Sequence, residues 1–485
     1  MAHPRIVIGV DSSTQATKAL AVDIDTGRIL GAGRAAHTVN TGAARESDPD
    51  RWWDAYCEAV AATGYADRAH AVAVAAQQHG LVTLDSAGNP VRPAVLWNDV
   101  RSAPQARAMI DRFGAERLAA RIGSVPTASF TATKWAWLRA AEPRNADRTV
   151  AVRLPHDYLT ERLTGAAVTD RGDASGTGWW NADGYDHEIL DHIALDPAAL
   201  PTVLSPGSPA GVTRSGGPTR AGIPVAAGTG DNMAAALGLG LEPGVPVLSL
   251  GTSGTAYTVA RTRPNDPTGV IAGFADATDS WLPLACTLNC TRAVDHVAGL
   301  LGRGREDVEF GGSVTVLPYF DGERTPNLPT ATGSIHGLRH DTTAGQLLQA
   351  TYDGAVFSLL TALDRVLACD GDTITPSTPL LVIGGGAQGI AWQNTVRRLS
   401  GRPLLLPATA ELVALGAAAQ AASLLTGERA DAVARRWRTR HGTTLDPIPR
   451  DTATVERLAA TLRASGALPA PDRYQVRDAT GKMSE

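Results

Sequence analysis

Cysteine, lysine and long apolar runs are scarce in this chain, and each scarcity closes off a class of protein. Four cysteines in 485 residues cannot supply a disulfide framework. Cys57 and Cys369 have no partner nearby in sequence. Cys286 and Cys290 have the spacing of a metal pair, but they sit on and just beyond a strand-like stretch, Trp281 to Leu288, with no second pair downstream. Buried structural thiols are expected there. No apolar run is long enough to span a bilayer. Met1 to Arg5 lead straight into a strand-like segment, without the charged-then-apolar pattern of a signal peptide. A reducing cytoplasm, away from membranes, is the expected setting.

The 44 basic residues are outnumbered by 49 acidic ones, for a net charge of -5, so no basic face is expected and nucleic acid is excluded as a partner. Among the basic residues only Lys18, Lys134 and Lys482 are lysines. A lysine kept in so arginine-rich a chain marks either chance or a place for a compact ammonium instead of a planar fork. Two nucleotide motifs are also missing. The G-x-x-x-x-G-K-[ST] loop of P-loop enzymes is absent, and so is the glycine spacing of a nicotinamide dinucleotide site.

At 485 residues the chain exceeds one compact core. One device occurs twice: an apolar strand, a tight turn of small hydroxyl residues, and a second apolar strand. The first copy is Ile6 to Asp11, a Ser/Thr turn, then Ala19 to Asp23; the second is Val245 to Gly251, Thr252-Ser253-Gly254-Thr255, then Ala256 to Val259. Third strands are expected over Arg28 to Val39 and Trp281 to Leu288, and helices follow in both halves. Two related α/β domains result, 1–240 and 241–485. Well-marked helices are expected from Asp48-Pro49 to Val60, from Thr131 to Ala141 and from Thr342 to Leu367. Pro469 to Glu485 is polar and expected to be mobile at its end.

Several segments could carry chemistry. Asp11-Ser12-Ser13-Thr14-Gln15-Ala16-Thr17-Lys18 sits where a strand ends. Small residues there let backbone N–H groups face a phosphate, and an Asp suits a hydrated Mg²⁺; an ordinary hairpin turn explains the same residues. Leu250-Gly251-Thr252-Ser253-Gly254-Thr255 is a second such cradle. Leu381-Val382-Ile383-Gly384-Gly385-Gly386-Ala387-Gln388 is a strand ending in glycines, either a flat surface for adenosine or a tight turn. Gly228-Thr229-Gly230-Asp231-Asn232 precedes an alanine-rich helix. Asp231 there is a helix N-cap, a general base for an attacking hydroxyl, or both. Gln77-Gln78-His79-Gly80 and Trp97-Asn98-Asp99 follow apolar strands, where α/β proteins place ligand-recognising groups.

Gly333-Ser334-Ile335-His336-Gly337-Leu338, Gln346-Leu347, Ala350-Thr351-Tyr352-Asp353 and Ser129 to Leu138, with Lys134 and Trp137, complete the pattern. In this order the segments resemble the FGGY carbohydrate kinases, from about Ile6 to Leu425. Ala140 and Ser13 depart from the polar residue and the glycine usual at those positions. The glycerol kinase branch has an Arg-Glu pair where this chain has Gln78-His79. That pair, with Asp321-Gly322-Glu323-Arg324-Thr325-Pro326, is similar to the xylulokinase branch.

The resemblance implies two actin-like (ribonuclease H-like) α/β domains with a cleft between them. It implies ATP and Mg²⁺ as cofactors and phosphorylation of D-xylulose at its terminal hydroxyl, O5, in xylose catabolism. By that resemblance Asp231 is the base, and Gln78, His79 and Asn232 hold the sugar, with Trp97 in its wall. Asp11 positions Mg²⁺ through water, Thr14 and Thr252 face the ATP phosphates, and Gly385, Gly386 and Ala387 the adenosine. Lys18 either touches phosphate or pairs with a nearby acid, and a homodimer is left open. The rival readings are a kinase for another ketopentose or polyol, an ATP hydrolase, and a binding protein without turnover, against which the presence of Asp231 counts.

Overall fold

The computed structural model describes residues 4–39, 42, 44–370 and 377–465. The stretch from Pro469 to Glu485, Lys482 included, lies outside the described residues. The chain forms two compact units. Unit 1 comprises Met1–Leu241, Arg261–Leu282 and Glu411–Arg440; unit 2 comprises Glu242–Ala260, Pro283–Ala410 and His441–Glu485.

In unit 1, β1 (Ile6–Ser12), β2 (Ala16–Asp23) and β3 (Ile29–Ala36) form an antiparallel meander. β4 (Ala69–Ala76) lies parallel to β1 on its other side. β5 (Pro209–Val212) and β6 (Pro224–Ala226) extend the sheet, β6 parallel to β4 and β5 antiparallel to β6. Every residue of β1 is buried, and every residue of β4 except His70. Their near-continuous apolar sequences therefore belong to strands covered on both faces.

Unit 2 repeats the plan. β7 (Val247–Leu250), β8 (Gly254–Tyr257) and β9 (Trp281–Thr287) are an antiparallel meander. β10 (Leu380–Ile383) is parallel to β7, β11 (Leu404–Pro407) is parallel to β10, and β12 (Gly442–Leu445) is antiparallel to β11. From β3 to β5 and from β9 to β12 the pairing senses run in the same order. The device read twice in the sequence is thus one topology built twice. Both third strands end earlier than expected, at Ala36 and Thr287.

The helices follow their end signals. Asp48 caps the helix Pro49–Ala62 by accepting from the Asp50 N–H at 3.0 Å, with Pro49 in the first turn. The expected helix from Thr342 starts at Ala344, because Thr343 and Gln346 form a capping box in front of it, and it runs to Ala368.

One helix departs from the single break expected near residue 240. Leu412–Thr426 packs in unit 1, where its alanines share a core with Val7, Leu20, Ala71, Ala73 and Ala234. The sheet face made by β1 and β4 needs a cover, and this segment supplies it. An alanine buries one methyl, roughly 0.8 kcal/mol each, so such a helix gains by coming very close. Glycines make that approach. A Cβ on Gly9 would lie 2.0 Å from the Ala414 carbonyl oxygen, and one on Gly416 would lie 1.9 Å from that of Ala234. Gly416→Ala should therefore force these backbones apart and cost roughly 1–3 kcal/mol. Gly299→Ala, whose Cβ would meet nothing within 4 Å, should be neutral or slightly stabilising. Thermal unfolding of the two variants checks the contrast, and equal midpoints would contradict it.

Candidate active site

Three separate segments of unit 1 meet where its central strands end. The register sets Asp11 of β1 beside Ala75 of β4. On the other side of β4, the two-residue strand Thr229–Gly230 pairs with Ala75 and Ala76. Asp11, Gln77-Gln78-His79 and Asp231 therefore leave the sheet at the same edge, the carboxyl ends of parallel strands.

Asp231 is not the N-cap. It is the first residue of the helix Asp231–Gly238, Gly230 holds the cap position, and no side chain caps this end. The carboxylate is thereby not used as a cap, and Asp231 is half-buried. Its Oδ1 accepts from the Asn232 backbone N–H at 2.8 Å and from Asn232 Nδ2 at 3.0 Å. Asn232 Nδ2 also donates to Gln78 Oε1 at 2.6 Å, and Gln78 Nε2 lies 3.5 Å from His79 Nδ1. The protein packed around the Asp231 carboxyl, and then the repulsion of Asp173, push its pKa up to about 7.

Asp11 is buried, and its Oδ1 has no hydrogen-bond partner. Burial raises it to about 7, against the pull of Lys18, which sits directly across the β1–β2 ladder. A buried carboxylate oxygen without a donor is what the water shell of a divalent cation satisfies, so Asp11 fits the Mg²⁺ role chemically. Lys18 itself pairs with an acid: its Nζ lies 2.8 Å from Glu411 Oε2. In the adjoining turn the Ser13 N–H and hydroxyl both go to the Ala16 carbonyl oxygen, at 3.0 and 2.8 Å, so Ser13 serves the hairpin. Thr14 Oγ1 accepts from Trp97 Nε1 at 3.3 Å, which joins two candidate residues directly. Asp99 has no such freedom. It accepts from the Arg45 N–H and from the Arg101 guanidinium, which hold its carboxyl below the usual range despite its burial.

His79 has the most constrained surroundings. Its φ is +39°, and its ring packs in one aromatic cluster with Phe130 and Phe274, at centroid distances of 5.6 and 5.3 Å. Behind it sits a buried group absent from the sequence-derived candidates. Asp173 Oδ1 accepts from the His79 N–H at 3.2 Å, and Asp173 Oδ2 lies 3.5 Å from His156 Nε2. His156 Nε2 also lies 3.2 Å from Asp157 Oδ1 and 3.4 Å from Asp170 Oδ1. These are ion-pair distances without hydrogen-bond alignment. Burial opposes the imidazolium charge, but the surrounding carboxylates win, and His156 is raised to about 9. Burial likewise lifts Asp173 to about 7 and Asp157 to about 6. The only sequence signals for this group were acids beside a proline-led turn, Pro155-His156-Asp157, and a capping Asp170 three residues before Asp173.

In unit 2 the Thr252 side of its loop is exposed, while the Gly251 carbonyl oxygen is held by the N–H and hydroxyl of Thr291 at 3.1 and 2.8 Å. Gly384 and Gly385 are exposed after β10, and a Cβ on Gly385 would meet nothing within 4 Å. Gly386 and Ala387 are buried below them. Only the first part of that glycine run is open to a flat ligand. Glu323 of the Asp321–Pro326 motif is buried and accepts from the N–H groups of Leu288 and Arg324 and from the Asn289 amide. Asp353 of the other motif pairs with Arg398. These two motif acids hold the scaffold. Cys286 and Cys290 are buried, as expected.

A cavity of about 260 Å³ lies elsewhere in unit 1, among Asp170, Arg171, Ser205, Thr278, Gln420 and Asp431, and none of the candidate site residues lines it. Among the described residues, no group of three or more His, Cys, Asp or Glu is arranged to hold a metal, and no helix is long and apolar enough to cross a membrane.

The models of the FGGY family of carbohydrate kinases match residues 6–238 with their N-terminal domain and residues 247–425 with their C-terminal domain. This chain belongs to that family. It is similar to the xylulose kinase of Streptomyces coelicolor, with 66% identity over 94% of this chain and 96% of that protein. Another FGGY relative, the xylulose kinase of Streptomyces rubiginosus, is 64% identical over the same shares of the two chains. The crystal structure of xylulose kinase from Bifidobacterium adolescentis superposes with a TM-score of 0.82 at 35% identity, covering 95% of this chain and 99% of that one. The FGGY fold is the expected pair of actin-like α/β domains.

Lys134, from the FGGY signature helix Thr131–Ala141, is fully buried. Its ammonium donates to the Ala128 carbonyl oxygen at 2.9 Å and to that of Ser129, and so ties down the turn that leads to Phe130. Lys134→Met should cost roughly 1–3 kcal/mol by leaving those carbonyls unpaired. Lys134→Arg should not restore stability, because a planar fork needs different room. Unfolding midpoints decide, and a wild-type midpoint in Lys134→Arg would show that charge alone suffices.

Proposed function

We propose that this chain transfers the γ-phosphoryl group of ATP to O5 of D-xylulose, giving D-xylulose 5-phosphate and ADP. The observation that carries this reading is the joined set Asp231–Asn232–Gln78–His79 at the strand ends that also present Asp11. The xylulose kinases named above support the choice of sugar at 64–66% identity.

Asp231 acts as the base. A carboxyl with a pKa of about 7 is about half ionised at neutral pH and more basic than an ordinary aspartate, so its ionised form can take the proton of the attacking hydroxyl. As O5 bonds to phosphorus, its proton passes to Asp231 and the bond from phosphorus to the bridging oxygen of ADP breaks. Asn232 fixes the Asp231 carboxylate on one side and Gln78 on the other, so base and sugar-binding amide are oriented by one side chain. Gln78, His79 and Asn232 hold the sugar, and Trp97, anchored on Thr14, forms part of its wall. Asp11 would hold Mg²⁺ through water, and the ion would neutralise charge developing on the phosphates. Thr14 and Thr252 serve the ATP phosphates, with Gly385 at the adenosine and the buried Gly386 and Ala387 forming the floor beneath it. Residues 1–240 thus carry the sugar site and first phosphate loop, and 241–485 the second loop and adenosine site. The proposal places the chain in the cytoplasm; light scattering of the purified protein tests whether it works as a homodimer.

ADP release with Mg-ATP is expected to favour D-xylulose over D-ribulose, L-ribulose and glycerol. Preference for another polyol would overturn the sugar, and release without sugar dependence would overturn the reaction. Asp231→Asn should lower kcat by at least ~10²-fold with sugar binding kept. The base works only when ionised, so kcat/KM should fall below an apparent pKa near 7 and level off above it. A profile flat down to pH 5 would remove Asp231 from the role. Asp11→Ala should raise the Mg²⁺ concentration needed for half-maximal rate, and an unchanged requirement would remove Asp11 from it.

A further inference from the structure

Resting on the reading that His79 holds the sugar, we propose that Asp173 is a positioning residue: it sets sugar affinity by fixing the backbone and ring of His79.

Positive φ is uncommon for any residue with a side chain and is best tolerated by asparagine, so at φ +39° His79 gains from contacts that hold its main chain. Two side chains grip its main chain from opposite ends. Asp173 Oδ1 accepts from the His79 N–H at 3.2 Å, and Thr131 Oγ1 donates to the His79 carbonyl oxygen at 3.1 Å. The same Asp173 oxygen lies 3.5 Å from His79 Nδ1, so one atom reaches both the backbone and the ring. Gly176 clears the space, since a Cβ there would lie 2.0 Å from that ring nitrogen.

Asp173 is itself placed with care. It is completely buried on the short helix Arg171–Ala174. Asp170 caps that helix, its Oδ1 accepting from the Asp173 N–H at 2.9 Å. The other Asp170 oxygen accepts from Thr229 Oγ1 at 2.7 Å, two residues before Asp231. The titratable groups facing Asp173 are His156, Asp157, Asp170 and Asp231, with the His79 ring itself at 3.5 Å. A carboxylate so deep is an expensive way to fill space, because an apolar side chain needs no counter-charge. What it provides is the acceptor that an apolar residue lacks, aimed at His79. A space-filling role would need neither the acceptor nor the second grip from Thr131.

The test is steady-state kinetics with D-xylulose and ATP in two backgrounds. In the native background, Asp173→Asn and Thr131→Val should each raise the sugar KM about tenfold, with kcat within about threefold and the ATP KM unchanged. In a His79→Asn background, where the residue tolerates positive φ unaided, the same changes should move the sugar KM less than about threefold. Thr131→Val is nearly isosteric and leaves the buried charges alone, so it decides the matter if Asp173→Asn does not fold. An unchanged sugar KM in Thr131→Val, or the same rise in both backgrounds, overturns the proposal while leaving the kinase reading intact. Wild-type protein that turns over no pentulose overturns the kinase reading, and this proposal with it.

Discussion

The close packing of the helix Leu412–Thr426 is the constraint on which the candidate site depends. It meets β1 at Gly9, two residues before Asp11, and the helix Asp231–Gly238 at Gly416 and Gly238. Its Gln420 donates to the Gly228 carbonyl oxygen at 3.2 Å, and Glu411, at its start, pairs with Lys18. One rigid rod therefore fixes the strand that ends in Asp11 and the helix that begins with Asp231. With alanines and glycines at the contact there is no long side chain to yield, so the separation of the two carboxylates is set by backbone geometry.

Electrostatics add a second layer. Three acids with raised pKa values, Asp11, Asp173 and Asp231, lie within interaction range along this face of unit 1, and each owes its shift first to burial. Their cations differ in kind. Lys18 faces Asp11 from the neighbouring strand and is shared with Glu411, whereas His156 is sealed in among Asp157, Asp170 and Asp173. The first arrangement leaves an acceptor unsatisfied at Asp11; the second uses its charge to keep a buried acid where His79 needs it. Similar perturbations thus support different roles, and the hydrogen-bond partners tell them apart.

Much of the fold was legible because its signals are local. Alternating or continuous apolar runs marked β1, β2 and β7, and Asp48-Pro49 marked a helix start, all read from a few adjacent residues. Asp231, Gln78, His79 and Asn232 were legible as site candidates from glycine-rich turns at strand ends and from the family resemblance, and the structure brings them together in one hydrogen-bonded set. Whether Asp231 caps its helix was left open by the sequence, since a capping residue and a first helical residue look alike there, and the backbone gives the cap to Gly230. Asp173 and His156 were missed because their meaning is wholly tertiary. His79 and Asp173 are 94 residues apart, and neither carries a motif that names the other. The packing of the helix Leu412–Thr426 on the sheet of unit 1 was not legible for the same reason: an alanine-rich segment does not say which sheet it will cover.

That helix has a consequence for biosynthesis. When residues 1–241 have left the ribosome, the sheet of unit 1 is complete in strands but bare on the face that Leu412–Thr426 covers. At roughly 5–20 residues per second, the missing helix follows on the order of ten to forty seconds later. In that interval the nascent chain carries an open apolar surface, Val7, Leu20, Ala71 and Ala73 among its residues, while all of unit 2 up to Ala410 is being made. The sheet whose strands are made first thus waits for a cover that is made only after most of unit 2.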